Sequence, residues 1–174
     1  MGMNIYKALS LLLDYPEAEL IENLDELETR IGTADGIDGM ERTTLRKLID
    51  HLRRTDLTAV QEDYVKTFDL TPEHSLHLTH HLFGDDKNRG PALIDLTEMY
   101  KQYGLQLAAN ELPDYLPLVL EFAALLEDEE ARMFLGDAAK VTRVLALNLE
   151  KAESVYAPCI RLIENRGGLV KLAA

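Results

Sequence analysis

Four histidines, His74, His77, His80 and His81, crowd one short stretch of this chain. They are its densest set of potential metal ligands or proton carriers. His77 and His81 stand four apart, the spacing that places two imidazoles on one helical face for zinc, and His74 joins that face if the segment is helical. The helical zinc hydrolases put a glutamate directly after the first histidine, and here that position is Leu78. A di-metal bundle needs Glu-x-x-His pairs, but three residues after Glu73 comes Leu76. We therefore expect no metal and no cofactor held by this chain, and histidines that line a groove or sit half-exposed. Glu111 and Asp114 could act as an acid–base pair. No nucleophile beside a base, phosphate-cradling glycine loop or thiolate cage accompanies them, so no catalytic residue is assigned. The lone cysteine, Cys159, has only Arg161 as a nearby basic neighbour and reads as an inert buried thiol.

Recognition is the chemistry that remains. The run His81-Leu82-Phe83-Gly84-Asp85-Asp86-Lys87-Asn88-Arg89-Gly90 and the run Glu111-Leu112-Pro113-Asp114-Tyr115-Leu116-Pro117 flank an amphipathic stretch, Pro91 to Tyr103. Polar groups fixed at helix ends beside apolar surface can present a site for a peptide. Asp85 and Asp86 suit the N-terminus of a helix starting near Lys87 to Pro91. Arg89 in that first turn opposes the helix dipole, so a carboxylate from Asp85, Glu111 or Asp114 is expected to hold it. Glu111 and Asp114 flank Pro113 before the next helix. Simple capping is one role there, and meeting a basic side chain of a bound peptide is the other. Tyr64, Tyr100, Tyr103 and Tyr115 belong by default to the core or its edge. Their functional reading, with Leu76, His77 and His81, is a groove that accepts the apolar face of a peptide helix.

The elements that must position these groups read as helical almost throughout. Apolar stripes run through Ile5, Leu9, Leu12 and Leu13, then through Leu20, Ile21, Leu24, Leu27 and Ile31, with Gly32 as the residue after the helix. Gly32 to Gly39 is a loop. Leu45, Leu48, Ile49 and Leu52 form a stripe closed by Arg53-Arg54, and Asp56 can cap a helix bearing Leu57, Val60, Tyr64 and Phe68. Glu73 to Phe83 is helical or partly extended. Leu93, Leu96, Tyr100 and Tyr103 mark a helix closed by Gly104. Pro113 fits the first turn of the next. One long helix is expected from about Asp128 to Glu150, and a short one from near Pro158 to Gly167-Gly168. No strand-length β alternation and no solenoid repeat occurs. The expected fold class is all-α: a compact multi-helix bundle in a single domain spanning residues 1–174.

Bulk properties agree. With 174 residues, 47% hydrophobic and 28% charged, the chain can bury a core without staples. A net charge of −13 argues against nucleic acid, whose binding needs Lys and Arg to release counterions, and favours a neutral or basic partner. A single cysteine suits a reducing compartment. No apolar run is long enough to cross a membrane, and the start lacks the basic and small-residue pattern of a signal peptide. A cytoplasmic location without direct membrane insertion is expected.

Several ordered motifs carry a family resemblance. They are Leu12-Leu13-Asp14-Tyr15-Pro16, Tyr64 with Phe68-Asp69, Ser75-Leu76-His77-Leu78, His81-x-x-Gly84-Asp85, Arg89-Gly90, Tyr100 with Gly104, and Glu111 to Pro117. Together, over positions 9 to 125, the chain resembles the NarJ family of nitrate reductase delta-subunit chaperones, within the wider TorD/DmsD redox-enzyme maturation group. The resemblance implies an all-helical, cytoplasmic, non-catalytic chaperone. Its partner would be the N-terminal segment of the nitrate reductase catalytic (alpha) subunit, in the apo alpha–beta complex. It would hold that subunit until the molybdenum cofactor is inserted, with molybdenum cofactor biosynthesis proteins as further partners, and leave before or as the enzyme docks on its membrane subunit. The alternatives are a chaperone for a dimethyl sulfoxide, selenate or (per)chlorate reductase, and a His/carboxylate metalloenzyme. The chain departs from the family pattern at Pro91, after Arg-Gly, and in ending soon after Gly168 without a long polar tail.

Overall fold

The first helix starts where Asn4 accepts the Lys7 N–H at 2.9 Å. That is N-capping by a side chain that would otherwise compete with the helix. In the computed structural model, which describes residues 2–84 and 86–173 (backbone alone for 169–173), the order is α1 (Ile5–Leu13), α2 (Ala18–Glu22), α3 (Leu24–Thr33), α4 (Gly39–Arg54) and α5 (Leu57–Tyr64). A π-helical turn (Val65–Asp69) and a 3-10 turn (Pro72–His74) follow. Then come α6 (Leu78–Phe83), α7 (Arg89–Gln102), α8 (Leu116–Ala123), α9 (Asp128–Gly136), α10 (Ala139–Lys151) and α11 (Ala157–Ala173). Among the described residues there is no strand, only an isolated antiparallel bridge between His77 and Tyr115. The fold class is all-α.

Two helices are apolar on nearly every side and lie at the centre. Ile5, Tyr6, Ala8, Leu9, Leu12 and Leu13 of α1 are buried, as are Leu116, Leu118, Val119, Leu120, Phe122 and Ala123 of α8. Only Lys7 and Leu11 of α1 and Glu121 of α8 reach solvent, so each helix keeps a narrow wet edge. They pack on each other, pinned by Ser10 Oγ donating to the Pro117 carbonyl at 2.6 Å and Asn4 Nδ2 to the Ala124 carbonyl at 3.1 Å. The main core surrounds this pair, with α9, α10 and α11 packed together beside it. A smaller apolar group, Tyr100, Leu118 and Phe122, joins α7 to the far side of α8.

Several expected boundaries are corrected. The stripe from Leu20 to Ile31 is divided at Asn23 between α2 and α3, where the Asn23 Nδ2 and N–H both donate to the Glu19 carbonyl, at 2.8 and 3.2 Å. Gly32 is inside α3. The carbonyls at the end of that helix are satisfied instead by Arg42, which donates to Ile31 at 3.2 Å and to Ala34 at 2.7 Å. Pro113 precedes the helix it was expected to open, and Pro117 sits in the first turn of α8. The single helix expected from Asp128 to Glu150 is two, broken at Asp137–Ala138. Gly167-Gly168 do not end α11. A Cβ on Gly167 would stand 2.9 Å from the carbonyl carbon and oxygen of Leu135, so this glycine permits α11 to cross close over α9.

Candidate functional site

Asp114 is where the motifs meet. Its carboxylate is fully buried, 0% exposed, and faces the N-terminus of α6. It accepts from the Thr79 N–H at 3.0 Å and the Thr79 hydroxyl at 2.5 Å. Thr79 is the second residue of α6, and His77 at the cap position supplies no side-chain bond. Asp114 therefore caps α6 through Thr79, 35 residues earlier in the chain, rather than serving as a first-turn acid of α8 as expected. Two backbone bonds hold this arrangement: Leu78 N–H to the Asp114 carbonyl at 3.1 Å and Leu116 N–H to the Leu76 carbonyl at 2.8 Å. They keep Ser75–His77 out of any helix, so His74, His77 and His81 do not share a face. Burial by itself would raise the Asp114 carboxyl. Hydrogen bonds from His77 and from the hydroxyl and N–H of Thr79 outweigh it and hold the group below the ordinary carboxylate range.

Arg89 approaches the same carboxylate. Its Nε donates to the Thr79 hydroxyl oxygen at 2.9 Å, and its Nη2 lies 3.9 Å from Asp114 Oδ2. Thr79 thus stands between guanidinium and carboxylate, and Arg89 remains 29% exposed. Glu111 is elsewhere, accepting the Ala108 N–H at 3.4 Å on its own exposed loop. Asp85 lies outside the described residues. On the other side of Asp114, His77 Nδ1 is 3.4 Å away, and its ring, 38% exposed, lies 5.2 Å from that of Tyr115.

Tyr115 links this group to the first motif of the chain. Its hydroxyl lies 2.6 Å from that of Tyr64 and donates to Asp14 Oδ1 at 3.1 Å. Tyr64 donates to the Leu13 carbonyl at 2.7 Å. Burial pushes the Tyr64 and Tyr115 phenols well above their ordinary value, so both stay protonated donors. The π-helical turn after Tyr64 brings Phe68 against it and against Tyr156, with centroids 4.8 and 5.1 Å apart. Residues from five separated segments therefore form one hub: Asp14-Tyr15, Tyr64, Ser75–Thr79, Arg89 and Asp114-Tyr115.

The hub does not use all the expected residues in the same way. Tyr64, Leu76 and Tyr100 are buried, so they hold the hub from within instead of touching a partner, which corrects their expected place on a groove surface. Tyr100 donates to the Pro113 carbonyl at 2.6 Å and so positions the loop that delivers Asp114. His81 Nε2 lies 2.7 Å from the Ser75 carbonyl and ties down the extended segment. Tyr103 is on the far side, 49% exposed, edge-on to Phe122. His77, Tyr115, Arg89 and Asp14 reach solvent at the hub. Thr79 and Asp14 were not singled out as site residues. Asp14 lies in a quoted motif beside Tyr15-Pro16, while a threonine in a helix carries no signal of its own.

A second polar group was also missed. Arg166, almost fully buried, engages Glu41 through two bonds of 2.7 Å, Asp128 at 2.9 Å and the Gly36 carbonyl at 2.7 Å. Tyr6 donates to the same Asp128 oxygen at 2.8 Å. This cluster joins α1, α4, α9 and α11. Cys159 is buried, and that burial lifts its thiol to about 12, which keeps it unreactive.

Nothing in the hub forms a nucleophile–base pair. The hydroxyl beside Asp114 is bonded to Arg89 and Asp114, not to His77. Among the described residues no group of three or more His, Cys, Asp or Glu side chains could hold a metal, and no helix is long and apolar enough to cross a membrane. The hub can offer an imidazole, a phenol, a guanidinium and a carboxylate to the polar groups of a partner.

Comparison with known proteins places the chain. Residues 35–160 match the family model described as nitrate reductase delta subunit. The Escherichia coli K12 protein named nitrate reductase molybdenum cofactor assembly chaperone NarJ is 36% identical over 155 residues, covering 89% of this chain and 66% of that one. A Bacillus subtilis protein that also bears the NarJ name is 34% identical over 162 residues, covering 91% of this chain and 85% of that one. In three dimensions the chain superposes on a redox enzyme maturation protein from Archaeoglobus fulgidus with a TM-score of 0.59 at 22% identity, over 95% of this chain and 94% of the other. The motifs that converge on Asp114 and the matches over most of its length together show that this chain belongs to the nitrate reductase delta subunit family.

Proposed function

We propose that the protein is a non-catalytic assembly chaperone for respiratory nitrate reductase. It binds the N-terminal segment of the catalytic subunit and holds the apo alpha–beta complex for molybdenum cofactor insertion. It acts in the cytoplasm and leaves before or as the enzyme docks on its membrane subunit. The observation that carries this reading is the family membership, with relatives named as molybdenum cofactor assembly chaperones for nitrate reductase. The hub supports it physically. Its buried residues are spent on positioning, while His77, Tyr115, Arg89 and Asp14 reach the surface with no reacting group among them. Hydrophobic burial would provide most of the affinity and charge would steer the approach.

The test is co-purification of the catalytic subunit, and reductase activity in cells lacking the chaperone and then resupplied with it. The expected result is capture of the subunit and restored maturation, both lost when the N-terminus of the subunit is deleted. Equal capture after that deletion would remove the N-terminal segment as the main contact. Full maturation without the chaperone would remove the function.

A further inference from the structure

α8 carries two apolar stripes. Leu116, Val119, Leu120 and Ala123 belong to the main core, and no residue of α7 does. Leu118 and Phe122, four apart on another side of α8, form with Tyr100 the small core that α7 closes. α7 itself is held at few points. Of its 14 residues only Tyr100 is buried, with its ring 4.7 Å from that of Phe122 and its hydroxyl on the Pro113 carbonyl at 2.6 Å. Leu96 packs on the same group, while Ile94 and Met99 stay exposed. At the start of the helix Arg89 is tied to the Thr79 hydroxyl at 2.9 Å. A glycine with positive φ flanks α7 on each side, Gly84 at 55° and Gly104 at 80°, a backbone that other residues adopt at a cost. The main core is thus complete without α7. A segment with few buried contacts opens at a lower free energy than the core it rests on.

We propose that α7 is a flap, which lifts off α8 while the rest of the bundle stays folded and uncovers a second apolar face made by Leu118 and Phe122 with Phe134 of α9. Its two polar latches lie at the hub. Tyr100 holds the Pro113 carbonyl, next to Asp114, and Arg89 holds the Thr79 hydroxyl, which itself donates to Asp114. Lifting α7 breaks both. A group that draws the Arg89 guanidinium away from Thr79 binds the open state better and shifts the flap toward it. The hub therefore controls whether the apolar face is shown. The device rests on this geometry and stands apart from the chaperone reading.

The experiment is thiol labelling of the full chain carrying Leu118→Cys, in native buffer, with reagent dilute enough that opening stays at equilibrium. Cys159, 1% exposed in the main core, is the control within the same molecule, and peptide mass spectrometry reads the two positions separately. Position 118 should react at least about a hundredfold faster than Cys159, the gap between a local and a global opening. Ile49→Val, which weakens only the main core, should speed labelling of Cys159 about fivefold and leave position 118 unchanged. Tyr100→Phe, which keeps the ring and removes the bond to Pro113, should speed position 118 about fivefold. Arg89→Ala should speed it by up to about fivefold. Equal rates at the two positions, or a rate at position 118 that follows Ile49→Val, would mean that α7 leaves only when the whole chain unfolds, and the flap is overturned. A rate unmoved by Tyr100→Phe would mean that Leu118 is reached without α7 lifting, and overturns it too. A rate unmoved by Arg89→Ala overturns the control by the hub. Hydrogen exchange of the unaltered chain reads the same event with no substitution. The α7 amides should exchange as one group, with little dependence on urea, before those of α1 and α8, and exchange of all three together would sink the proposal.

Discussion

Asp114 concentrates the consequences of burying one carboxylate. It accepts three hydrogen bonds in a place where water is excluded, so replacing it leaves the Thr79 N–H and hydroxyl without their partner. Asp114→Asn, which replaces one of the two acceptor oxygens by a donor and removes the charge, should lower stability by about 2–3 kcal/mol in urea melts. Arg89→Lys should cost only about 0–1 kcal/mol, because Arg89 is partly solvated and 3.9 Å from the carboxylate. Its effect should appear in client capture, where lysine lacks the planar fork. A loss for Arg89→Lys equal to that for Asp114→Asn would mean that the pair acts as a buried one. Acid should expose the same dependence. The folded carboxyl sits below its ordinary value, so the unfolded chain takes up the proton more readily. The stability it contributes is complete above about pH 4 and fades as pH falls through the lower folded value. The melting difference between the unaltered chain and Asp114→Asn should therefore narrow on acidification. A difference that stays constant down to about pH 2 would show that the carboxylate charge is not what matters. Residue types at helix ends made Asp114 and Arg89 legible in the sequence. Their partner was not, since Thr79 becomes one only when segments 35 residues apart are brought together. The tyrosines were ambiguous for a different reason: their rings suit a groove and a core equally, and backbone carbonyls satisfy the hydroxyls of Tyr64 and Tyr100 inside.

Elements were legible wherever an apolar stripe had a clear end, as in α1, α4 and α7. They were misjudged where the stripe continued across a break. The spacing of Leu20, Ile21, Leu24 and Leu27 runs through Asn23, and nothing local announces that Asn23 bonds back to Glu19. Gly167 misled in the opposite direction. A glycine pair after an apolar run resembles a helix end, yet this one marks a crossing. The two neighbours should answer differently to one methyl group. Gly167→Ala forces α11 away from Leu135 and should cost about 1–3 kcal/mol. Gly168→Ala meets nothing within 4 Å and should be neutral or stabilise by up to about 1 kcal/mol, the helix preference of alanine. Thermal melts of the two variants decide this, and similar losses in both would place the tight contact elsewhere.

At the scale of the molecule, helical class followed from periodicity alone, because no β alternation competed with it. The closure of the bundle did not, since it depends on Arg166 finding Glu41 across 125 residues. Burial tends to lower the guanidinium, but the bonds to Glu41 and Tyr6 reverse that and keep it charged. Removing one partner strands the other. Arg166→Met should cost about 3–5 kcal/mol, and Glu41→Gln with Arg166→Met should cost clearly less than the two single changes added together. Strict additivity in denaturant melts would mean that the two groups do not depend on each other. The same cluster has a consequence for the newborn chain. Synthesis runs from the N-terminal side, so Tyr6, Glu41 and Asp128 leave the ribosome before Arg166, the side chain that joins them. Until Arg166 emerges, those three helices can collapse on apolar contacts but cannot lock. Arg166 is therefore the cross-link by which α11 fastens three helices made before it.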